Sequence, residues 1–296
     1  MPVGPSAAEC VPKPLAQLPV AFHNDVPTVT VTIDGQPVAM VLDLGADRTV
    51  IAEDTVDRLR LDRDPSELPT ITGVGGSETR WAAVARHLTL GGITLEHKRL
   101  EVAPIGMTDT QQPIDGLLGL DVLRHYDVDW DLPRNRVTLN AASGCPGPPA
   151  GWSQAAVAVP WAHPWGTSGH RSKLLLLPVR VDDKPVTATL DSGTGISMIE
   201  SGFAAGLEPL DAKGDEDVQL SGTGLGDADG TAHRFRSLVA AGDTLPGWLM
   251  VAGPVPAGAG EMILGADFMR IHRAWLPAGG SAIWFGPRVQ AQAAAP

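Results

Sequence analysis

Apolar and polar residues alternate along many short stretches of this chain, and turn-forming residues separate one stretch from the next. The segment "TVTVTIDG" alternates and turns at "DGQP", after which "PVAMVL" returns. Alternation on both sides of a tight polar turn is typical of a β-hairpin. The same arrangement occurs in "RHLTLGGITLE", "DVDWDLPRNRVTLN" and "RAWLPAGGSAIWF". The pattern therefore predicts a chain made mostly of short β-strands.

Segments with a helical pattern are short. "AEDTVDRLRL", "LGLDVLRHY" and "LGADFMRI" each have room for one or two helical turns, and "AAVAVPW" has the composition of a strand. The 34 Gly and 26 Pro residues favour strands and turns over long helices. No apolar run approaches the roughly 20 residues that a membrane-spanning helix needs. The sequence thus predicts an all-β fold with short helices.

An internal repeat occurs at a spacing of 148 positions, the difference between positions 191 and 43. Residues 31–51, "VTIDGQPVAMVLDLGADRTVI", align without a gap with residues 179–199, "VRVDDKPVTATLDSGTGISMI". The eight identical positions are, in the first copy, Val31, Asp34, Pro37, Val38, Leu42, Asp43, Gly45 and Ile51. This identity is far above chance for 21 positions. Such a repeat is informative about the fold, because each copy is expected to form the same structural unit.

Two further landmarks recur in the same order. "TGVGGSE" (72–78) corresponds to "SGTGLGD" (221–227), and "IDGLLGLDVL" (114–123) corresponds to "EMILGADFM" (261–269). Three landmarks at nearly the same spacing indicate two fused copies of one domain. We expect each copy to be a closed β-barrel with short helices, the two being related by a pseudo-two-fold axis. The predicted parts are a first lobe at 21–142, a Gly/Pro/Trp-rich linker at 143–172, a second lobe at 173–287 and a frayed tail at 288–296.

Composition and charge argue against some functional classes. The 296 residues are enough for about two domains, and 43% of them are hydrophobic, which allows a substantial core. The formal net charge of −12 argues against nucleic acid as a partner, because phosphates are bound by basic patches. The composition is compatible with a soluble protein, and the sequence predicts no membrane span.

Cys10 and Cys145 are the two cysteines of the sequence. A zinc site usually needs about four ligands in closely spaced pairs, so these two alone do not predict a metal. They form either one disulfide or two unrelated thiols. A disulfide would close a loop of more than 100 residues, for which chain entropy contributes about 4–5 kcal/mol, and would place the protein outside the reducing cytosol.

The first residues, "MPVGPSAAEC", contain Ser6 and Ala8 in the small-x-small pattern that precedes a signal-peptide cleavage site. The charged and apolar regions that should come before this pattern are missing. We expect either that the true start lies upstream or that a leader has been removed, and a short disordered tail is the alternative. Together with the cysteines, the first reading predicts a periplasmic or secreted protein.

Each copy of the repeat places an aspartate at the end of a buried strand. Asp43 follows "AMVL" and Asp191 follows "TATL", and a glycine lies two positions later in both. A single Asp-x-Gly is usually a turn. Here the motif occurs once per copy, and two-fold symmetry can bring equivalent loops together on the axis. The two carboxylates would then face each other and share one proton, because like charges that close cannot both ionise.

Such a pair can hydrolyse an amide by general acid–base catalysis. One carboxylate deprotonates a water held between the two, and the neutral partner donates a hydrogen bond to the developing oxyanion. No covalent intermediate forms, and no metal or organic cofactor is needed.

These motifs resemble those of the retropepsins, the retroviral-type aspartic proteases. "VLDLGADRTVI" resembles their active-site strand, "ITGVGGSE" their glycine-rich flap, and "IDGLLGLDVL" the segment before their closing helix. All three have counterparts in the second half, so the chain resembles a bacterial-type tandem retropepsin, a dimer fused into one polypeptide with a pepsin-like two-lobed form. The resemblance implies that Asp43 and Asp191 are the catalytic pair, supported by Gly45, Ser192 and Gly193.

The resemblance also assigns two substrate-binding flaps, whose glycines would allow left-handed backbone conformations. They consist of Gly73, Val74, Gly75, Gly76 and Ser77 in the first copy, and of Gly222, Thr223, Gly224, Leu225 and Gly226 in the second.

Two positions depart from the family pattern. The family has Thr or Ser after the catalytic aspartate, with a hydroxyl that bonds across to the opposite loop. The second copy keeps Ser192, but the first has Leu44, so half of this brace is missing. If a buried partner is left unpaired, the loss is about 1 kcal/mol. In addition, Gly195 replaces the residue equivalent to Asp47.

The sequence therefore predicts an aspartic endopeptidase that acts on peptide or protein substrates as a monomer. The alternative is a peptide-binding module of the same fold with weak or lost activity, which would hold an extended peptide as an added strand. No H-E-x-x-H, G-x-S-x-G or phosphate-loop motif occurs in the sequence, which leaves metalloprotease, serine-hydrolase and nucleotide-binding functions without support.

Overall fold

The computed structural model describes residues 10–66, 68, 70–73, 76–105, 113–153, 155–163, 173–207, 215–221 and 227–289. These residues form mostly β-strands with a few short helices, as the hydrophobic pattern predicts. Among them, no helix is long and apolar enough to cross a membrane.

The first half of the chain contains the elements that build one barrel and part of a shared sheet. They are β1 (Pro14–Pro19), β2 (Ala21–His23), β3 (Val26–Ile33), β4 (Gln36–Leu42), β5 (Val50–Ile51), α1 (Glu53–Leu59), β6 (Asp62–Asp64), β7 (Thr70–Gly73), β8 (Gly76–Thr79), β9 (Ala82–Leu90), β10 (Ile93–Val102), β11 (Gly116–Leu118), α2 (Leu120–Leu123), β12 (Tyr126–Asp131) and β13 (Arg136–Ala141).

The second half repeats much of this order. Its elements are β14 (Val157–Pro160), β15 (Leu176–Val181), β16 (Lys184–Leu190), β17 (Met198–Glu200), α3 (Ser201–Ala204), β18 (Glu216–Ser221), β19 (Asp227–Arg234), β20 (Ser237–Ala240), β21 (Asp243–Pro246), β22 (Leu249–Gly253), β23 (Met262–Leu264), α4 (Ala266–Met269), β24 (Ala274–Leu276) and β25 (Ala282–Phe285).

Six strands of the first half close into a barrel. Their order around the ring is β3, β4, β11, β5, β10 and β9, and the pairing of β9 with β3 closes it. The pairs β4–β11 and β5–β10 are parallel, and the others in the ring are antiparallel. Inward-facing positions of β3 and β4, such as Ile33 and Met40, are fully buried, because alternate residues of a barrel strand point to its interior.

The second half repeats this ring with two interrupted strands. Strands β15, β16, β23, β17 and β22 pair in the same order as β3, β4, β11, β5 and β10. The strand equivalent to β9 is split into β19 and β20, and the strand equivalent to β10 into β21 and β22. Hydrogen bonds from Phe235 N–H to Trp248 C=O (3.0 Å) and from Gly247 N–H to Arg236 C=O (3.0 Å) connect the two interruptions.

A six-stranded sheet joins the two halves, with the order β1, β13, β12, β24, β25 and β14. Its central pair is β12 with β24, in which Val128 lies opposite Leu276. These two positions are themselves 148 apart, so the pseudo-two-fold axis of the repeat passes close to this pair. Strand β14 confirms the expectation for "AAVAVPW", whereas β1 was not recognised from the sequence and lies before the predicted start of the first lobe.

The disulfide between Cys10 and Cys145 is present, and the alternative of two unrelated thiols is therefore wrong. Both cysteines are buried. The bond links the residues before β1 to the segment that follows β13, and β1 pairs with β13 along the sheet edge. The disulfide thus fixes the N-terminal strand on the shared sheet.

Candidate active site

The loop after β4 carries Asp43 and is held by the segment that follows β11. Asp43 N–H donates to Leu118 C=O at 3.0 Å, and Leu120 N–H donates to Ala46 C=O at 2.9 Å. The loop after β16 is built in the same way. Asp191 N–H donates to Leu264 C=O at 3.0 Å, and Ala266 N–H donates to Thr194 C=O at 2.8 Å.

Gly119 and Gly265 allow these segments to approach the aspartate loops. A Cβ on Gly119 would lie 2.6 Å from the carbonyl oxygen of Arg48, and a Cβ on Gly265 would lie 2.9 Å from that of Thr194. Contacts this short with backbone atoms exclude a side chain. The glycine of the repeated Leu-Gly-x-Asp motif is therefore required by close packing, whatever its backbone angles.

The aspartate of the same motif anchors the far end of each loop. Asp121 accepts a hydrogen bond from the Thr49 hydroxyl at 2.7 Å and contacts the Lys98 ammonium. Asp267 accepts the Ser197 hydroxyl at 2.7 Å and the Ser197 N–H at 2.9 Å. Burial raises the pKa of Asp267, while the hydrogen bonds from Ser197 lower it.

The structure brings Asp43 and Asp191 together. A Cβ on Gly45 would lie 2.2 Å from Cγ of Asp191, and a Cβ on Gly193 would lie 2.6 Å from Cγ of Asp43. Each glycine also donates its N–H to the aspartate of its own loop at 2.8 Å. The sequence assigned these glycines to the support of the aspartate pair, and the structure shows that each of them leaves room for the opposite carboxylate.

The environment of the pair favours the protonated form. Asp43 is only 7% exposed. Burial, followed by the charge of Asp191, raises the pKa of Asp43 well above its ordinary value. Burial also raises the pKa of Asp191, while hydrogen bonds from Thr194 and Gly193 lower it. Two adjacent carboxyl groups in one buried site can therefore share one proton.

Ser192 makes one half of the brace between the loops. Its hydroxyl donates to Leu42 C=O at 2.7 Å and accepts from Leu44 N–H at 3.0 Å, and Ser192 is fully buried. Leu44, at the equivalent position of the first loop, has no hydroxyl with which to form the reciprocal pair. Its side chain is fully buried in the hydrophobic core instead.

The difference between Asp47 and Gly195 has a structural reason. Asp47 accepts the Lys173 N–H at 2.8 Å, at the start of the second barrel. A Cβ on Gly195 would lie 2.9 Å from the carbonyl oxygen of Asn24 and 3.1 Å from Cβ of Asp25. Asp25 and Lys173 are 148 positions apart, so equivalent loop residues contact equivalent segments of the opposite half. The contact with Lys173 leaves room for the carboxylate of Asp47, whereas Asn24 and Asp25 leave no room for a side chain at position 195.

The two flaps are described in part. Gly73 ends β7 and Gly76 begins β8, and these strands pair as a separate hairpin in which Thr72 lies opposite Ser77. Val74 and Gly75 lie outside the described residues, as do all five predicted flap residues of the second copy, Gly222, Thr223, Gly224, Leu225 and Gly226. The strands on either side of the second flap, β18 and β19, pair with Ser221 opposite Asp227.

Several residues of the site were not identified from the sequence. They are the hydroxyl residues Thr49, Ser197 and Thr194 and the motif aspartates Asp121 and Asp267. The repeat held the signal for most of them, since Thr49 and Ser197 are 148 positions apart and both aspartates belong to the Leu-Gly-x-Asp motif. In the described part of the chain, no group of three or more His, Cys, Asp and Glu side chains could hold a metal ion.

Two comparisons with known proteins found a match for this chain. Residues 29–122 match a family model described as "Aspartyl protease". None of the curated proteins compared matches the chain. The crystal structure of the aspartic proteinase from Irpex lacteus is similar over 94% of this chain and 98% of that chain, with a TM-score of 0.59 and 14% sequence identity. At that identity the likeness shows the fold, and the resemblance predicted from the motifs is confirmed for the matched residues.

Proposed function

We propose that this chain, with its aspartyl-protease match and its aspartic-proteinase fold, is an aspartic endopeptidase. The observation that carries the proposal is the approach of the two carboxyl groups, with each loop glycine so close to the opposite carboxyl that a Cβ would overlap it. Both pKa values are raised in the buried site. A pair that shares one proton supplies an acid and a base at the same pH.

The proposed reaction needs Asp43, Asp191 and a water molecule. The ionised carboxylate takes a proton from the water while the water oxygen forms a bond to the peptide carbonyl carbon. The protonated carboxyl donates its proton to the carbonyl oxygen, which gives a neutral tetrahedral intermediate. Transfer of a proton to the amide nitrogen and cleavage of the C–N bond then release an amine and a carboxylic acid. Ser192 maintains the separation of the loops during these steps.

Substrate would lie in an extended form between the two halves, beneath the flaps. We propose that an extended peptide adds as a further strand to the two-stranded sheet of β7 and β8. We propose that the two halves complete one site, so that a single chain is active. Specific activity should then be independent of protein concentration, and light scattering should give the mass of one chain, 30.9 kDa. Activity that rises with dimer content would contradict this.

The test of the function is digestion of a diverse peptide library between pH 3 and 8, followed by mass spectrometry. Wild-type protein should cut internal bonds, and Asp43→Asn and Asp191→Asn should each abolish cutting. Asp57→Asn is the matched control, because Asp57 lies exposed on α1 and its loss should leave cleavage unchanged. Cleavage that persists in both dyad variants would contradict the proposal.

A second function, peptide binding without hydrolysis, is favoured by one observation. Leu44 removes half of the hydroxyl brace, and the loop geometry depends on Ser192 alone for this contact. A protein of this kind would bind library peptides at every pH without cutting them, and Asp43→Asn would change binding little. Equilibrium dialysis of the same peptide library distinguishes this outcome from hydrolysis.

We propose a periplasmic or secreted location, supported by the disulfide between Cys10 and Cys145. Such bonds persist in oxidising compartments and are rare in the cytosol. Trapping thiols with an alkylating reagent at the moment of lysis should find both cysteines unmodified. Complete alkylation of both in the native host would contradict this location.

A further inference from the structure

We propose that Thr194 is a positioning residue that keeps Asp191 as the ionised base, and that Ala46, its counterpart, leaves the shared proton on Asp43. The inference rests on the proposed function, because it assigns roles within that dyad. It treats the two aspartates, which the repeat makes equivalent, as chemically different.

The hydrogen bonds of the two carboxyl groups carry the inference. Gly193 N–H donates to Oδ1 of Asp191 at 2.8 Å, and the Thr194 hydroxyl donates to Oδ2 at 3.1 Å. Both oxygens of Asp191 thus receive a donor from their own loop. Asp43 receives Gly45 N–H at Oδ1, also at 2.8 Å. At position 46 the alanine methyl group has nothing to donate to the second oxygen.

The backbones of the two loops are too similar to explain this difference. Positions 46 and 194 are equivalent in the repeat, and both carbonyl groups accept one hydrogen bond from the following segment, at 2.9 and 2.8 Å. The backbone N–H of each residue also favours the charged form of its aspartate. The hydroxyl of Thr194 is therefore the donor that distinguishes the loops.

A hydroxyl that donates to a carboxylate stabilises the charged form, and it does so more strongly in a buried site than in water. The directions of the pKa shifts agree. The pKa of Asp43 lies well above its ordinary value because of burial and the charge of Asp191. The pKa of Asp191 is also raised by burial, but the Thr194 hydroxyl is the largest of the effects that lower it.

Two charged groups near the loops, Asp47 and Asp25, have partners of their own. Asp47 accepts the Lys173 N–H, and Asp25, beside Gly195, pairs with Arg270 at 2.6 Å. Neither contact supplies a hydrogen-bond donor to the dyad. The difference in donors between the two carboxyl groups is thus due to Thr194 and Ala46. It makes Asp191 the group that takes the proton from water.

Carbon-13 NMR of aspartate-labelled protein tests the inference without any turnover. The Cγ resonances of the dyad are assigned from their loss in Asp43→Asn and Asp191→Asn. Because the groups are coupled, the protein loses their protons in two macroscopic steps. In wild type the step at lower pH should appear mainly at Asp191 and the step at higher pH mainly at Asp43.

Substitutions at both positions provide matched comparisons. Thr194→Val keeps the shape but removes the hydroxyl, and should distribute the lower step over both carboxyl groups. Thr194→Ser retains the hydroxyl and should preserve the wild-type pattern. Ala46→Ser adds a donor beside Asp43 and should also reduce the asymmetry. A lower step that appears at Asp43, or a pattern unchanged by Thr194→Val, would overturn the inference.

Kinetics separates this inference from the proposed function. If peptides are cut, Thr194→Val should move the acid limb of kcat/KM to higher pH, since Asp191 must be ionised and its pKa rises without the hydroxyl. Thr194→Ser should keep the wild-type limb. Absence of cleavage together with the expected NMR pattern rejects the function but leaves the proton assignment supported. Cleavage together with a symmetric NMR pattern rejects only the inference.

Discussion

At the scale of single residues, Ser192 connects the two aspartate loops. Its hydroxyl both donates to Leu42 C=O and accepts from Leu44 N–H, and all three residues are fully buried. At the equivalent position of the first loop, Leu44 packs into the core. The same position of the repeat therefore carries a polar side chain in one loop and an apolar side chain in the other. A buried polar pair that depends on one side chain is sensitive to its loss, because the remaining groups cannot reach water.

Ser192→Ala should lower the free energy of unfolding by about 1–3 kcal/mol, since it leaves the Leu44 N–H and the Leu42 C=O unpaired in the interior. Urea denaturation measures this change. Ser192→Thr, which retains a hydroxyl, is the matched variant, and Ser143→Ala measures the loss of a serine hydroxyl that bonds to Asp127 elsewhere. An unfolding midpoint unchanged in Ser192→Ala would show that the brace does not stabilise the fold.

The dyad should also make stability depend on pH. The folded-state pKa of Asp43 is raised above its ordinary value of 3.8. The group therefore stabilises the folded state fully below the unfolded value, and this contribution is lost as pH rises through the folded value. Asn cannot ionise, so Asp43→Asn lacks this loss of stability and should raise the melting temperature relative to wild type at pH 7 more than at pH 3.

Thermal unfolding of both proteins across this range checks the expectation. The exposed Asp57→Asn should shift the melting temperature little at either pH. An Asp43→Asn difference that is the same at pH 3 and pH 7 would mean that the pKa of Asp43 is not raised by folding.

At the scale of elements, the turn between β11 and α2 and the turn between β23 and α4 support the two aspartate loops. Each turn begins with a glycine that lies against loop backbone, and each continues with an aspartate that binds a loop hydroxyl. The geometry of the carboxyl groups thus depends on packing between elements that are distant in sequence.

Gly119→Ala should therefore reduce both stability and activity. Its Cβ would lie 2.6 Å from the Arg48 carbonyl and 2.8 Å from the Ala46 carbonyl, which forces the Asp43 loop to move. Overpacking of this kind typically costs about 1–3 kcal/mol. Gly206→Ala is the matched control, because the nearest atom to its Cβ, the Phe203 carbonyl oxygen, lies 3.4 Å away.

Urea unfolding and peptide cleavage measured on both variants test this. Equal effects of Gly119→Ala and Gly206→Ala would show that close approach at the β11–α2 turn does not matter. Loss of cleavage with unchanged stability would show that the loop shifts without loss of packing.

At the scale of the whole molecule, the shared six-stranded sheet holds the halves together. Asp129 of β12 pairs with Arg273, which precedes β24, and the Trp152 indole N–H donates to the same carboxylate at 3.1 Å. Trp152 also lies edge-on to Trp275, with ring centroids 6.3 Å apart. The segment between the halves therefore packs against the sheet. The disulfide adds a covalent link beside β1, at one edge of this sheet.

The variant with both Cys10→Ser and Cys145→Ser should unfold more easily. The bond spans 135 residues, and the chain-entropy model gives about 4–5 kcal/mol for a loop of that length. Denaturation with and without reductant measures the change, and reductant should affect wild type but leave the double variant unchanged. A double variant as stable as the oxidised wild type would show that strand pairing alone fixes β1.

The sequence could predict the elements because they follow from local pattern, and it could predict the pair of aspartates because the repeat places them at equivalent positions. Period-two alternation and turn residues predicted the hairpins of β3 with β4, β9 with β10 and β12 with β13. The repeat at 148 positions predicted that the aspartate loops are equivalent. Short strands with a proline at each end, such as β1, lack a strong pattern, and β1 is defined mainly by its pairing with β13.

What the sequence by itself determined is therefore the all-β class, the repeat and the residue types of the dyad. The tertiary structure decided which groups meet. It brought Gly45 against Asp191, placed Leu44 in the core and gave Asp191 a hydroxyl donor that Asp43 lacks. These contacts join residues about 148 positions apart or depend on the direction of one side chain. Their energies depend on burial and on distances between packed segments, which no local pattern in the chain contains.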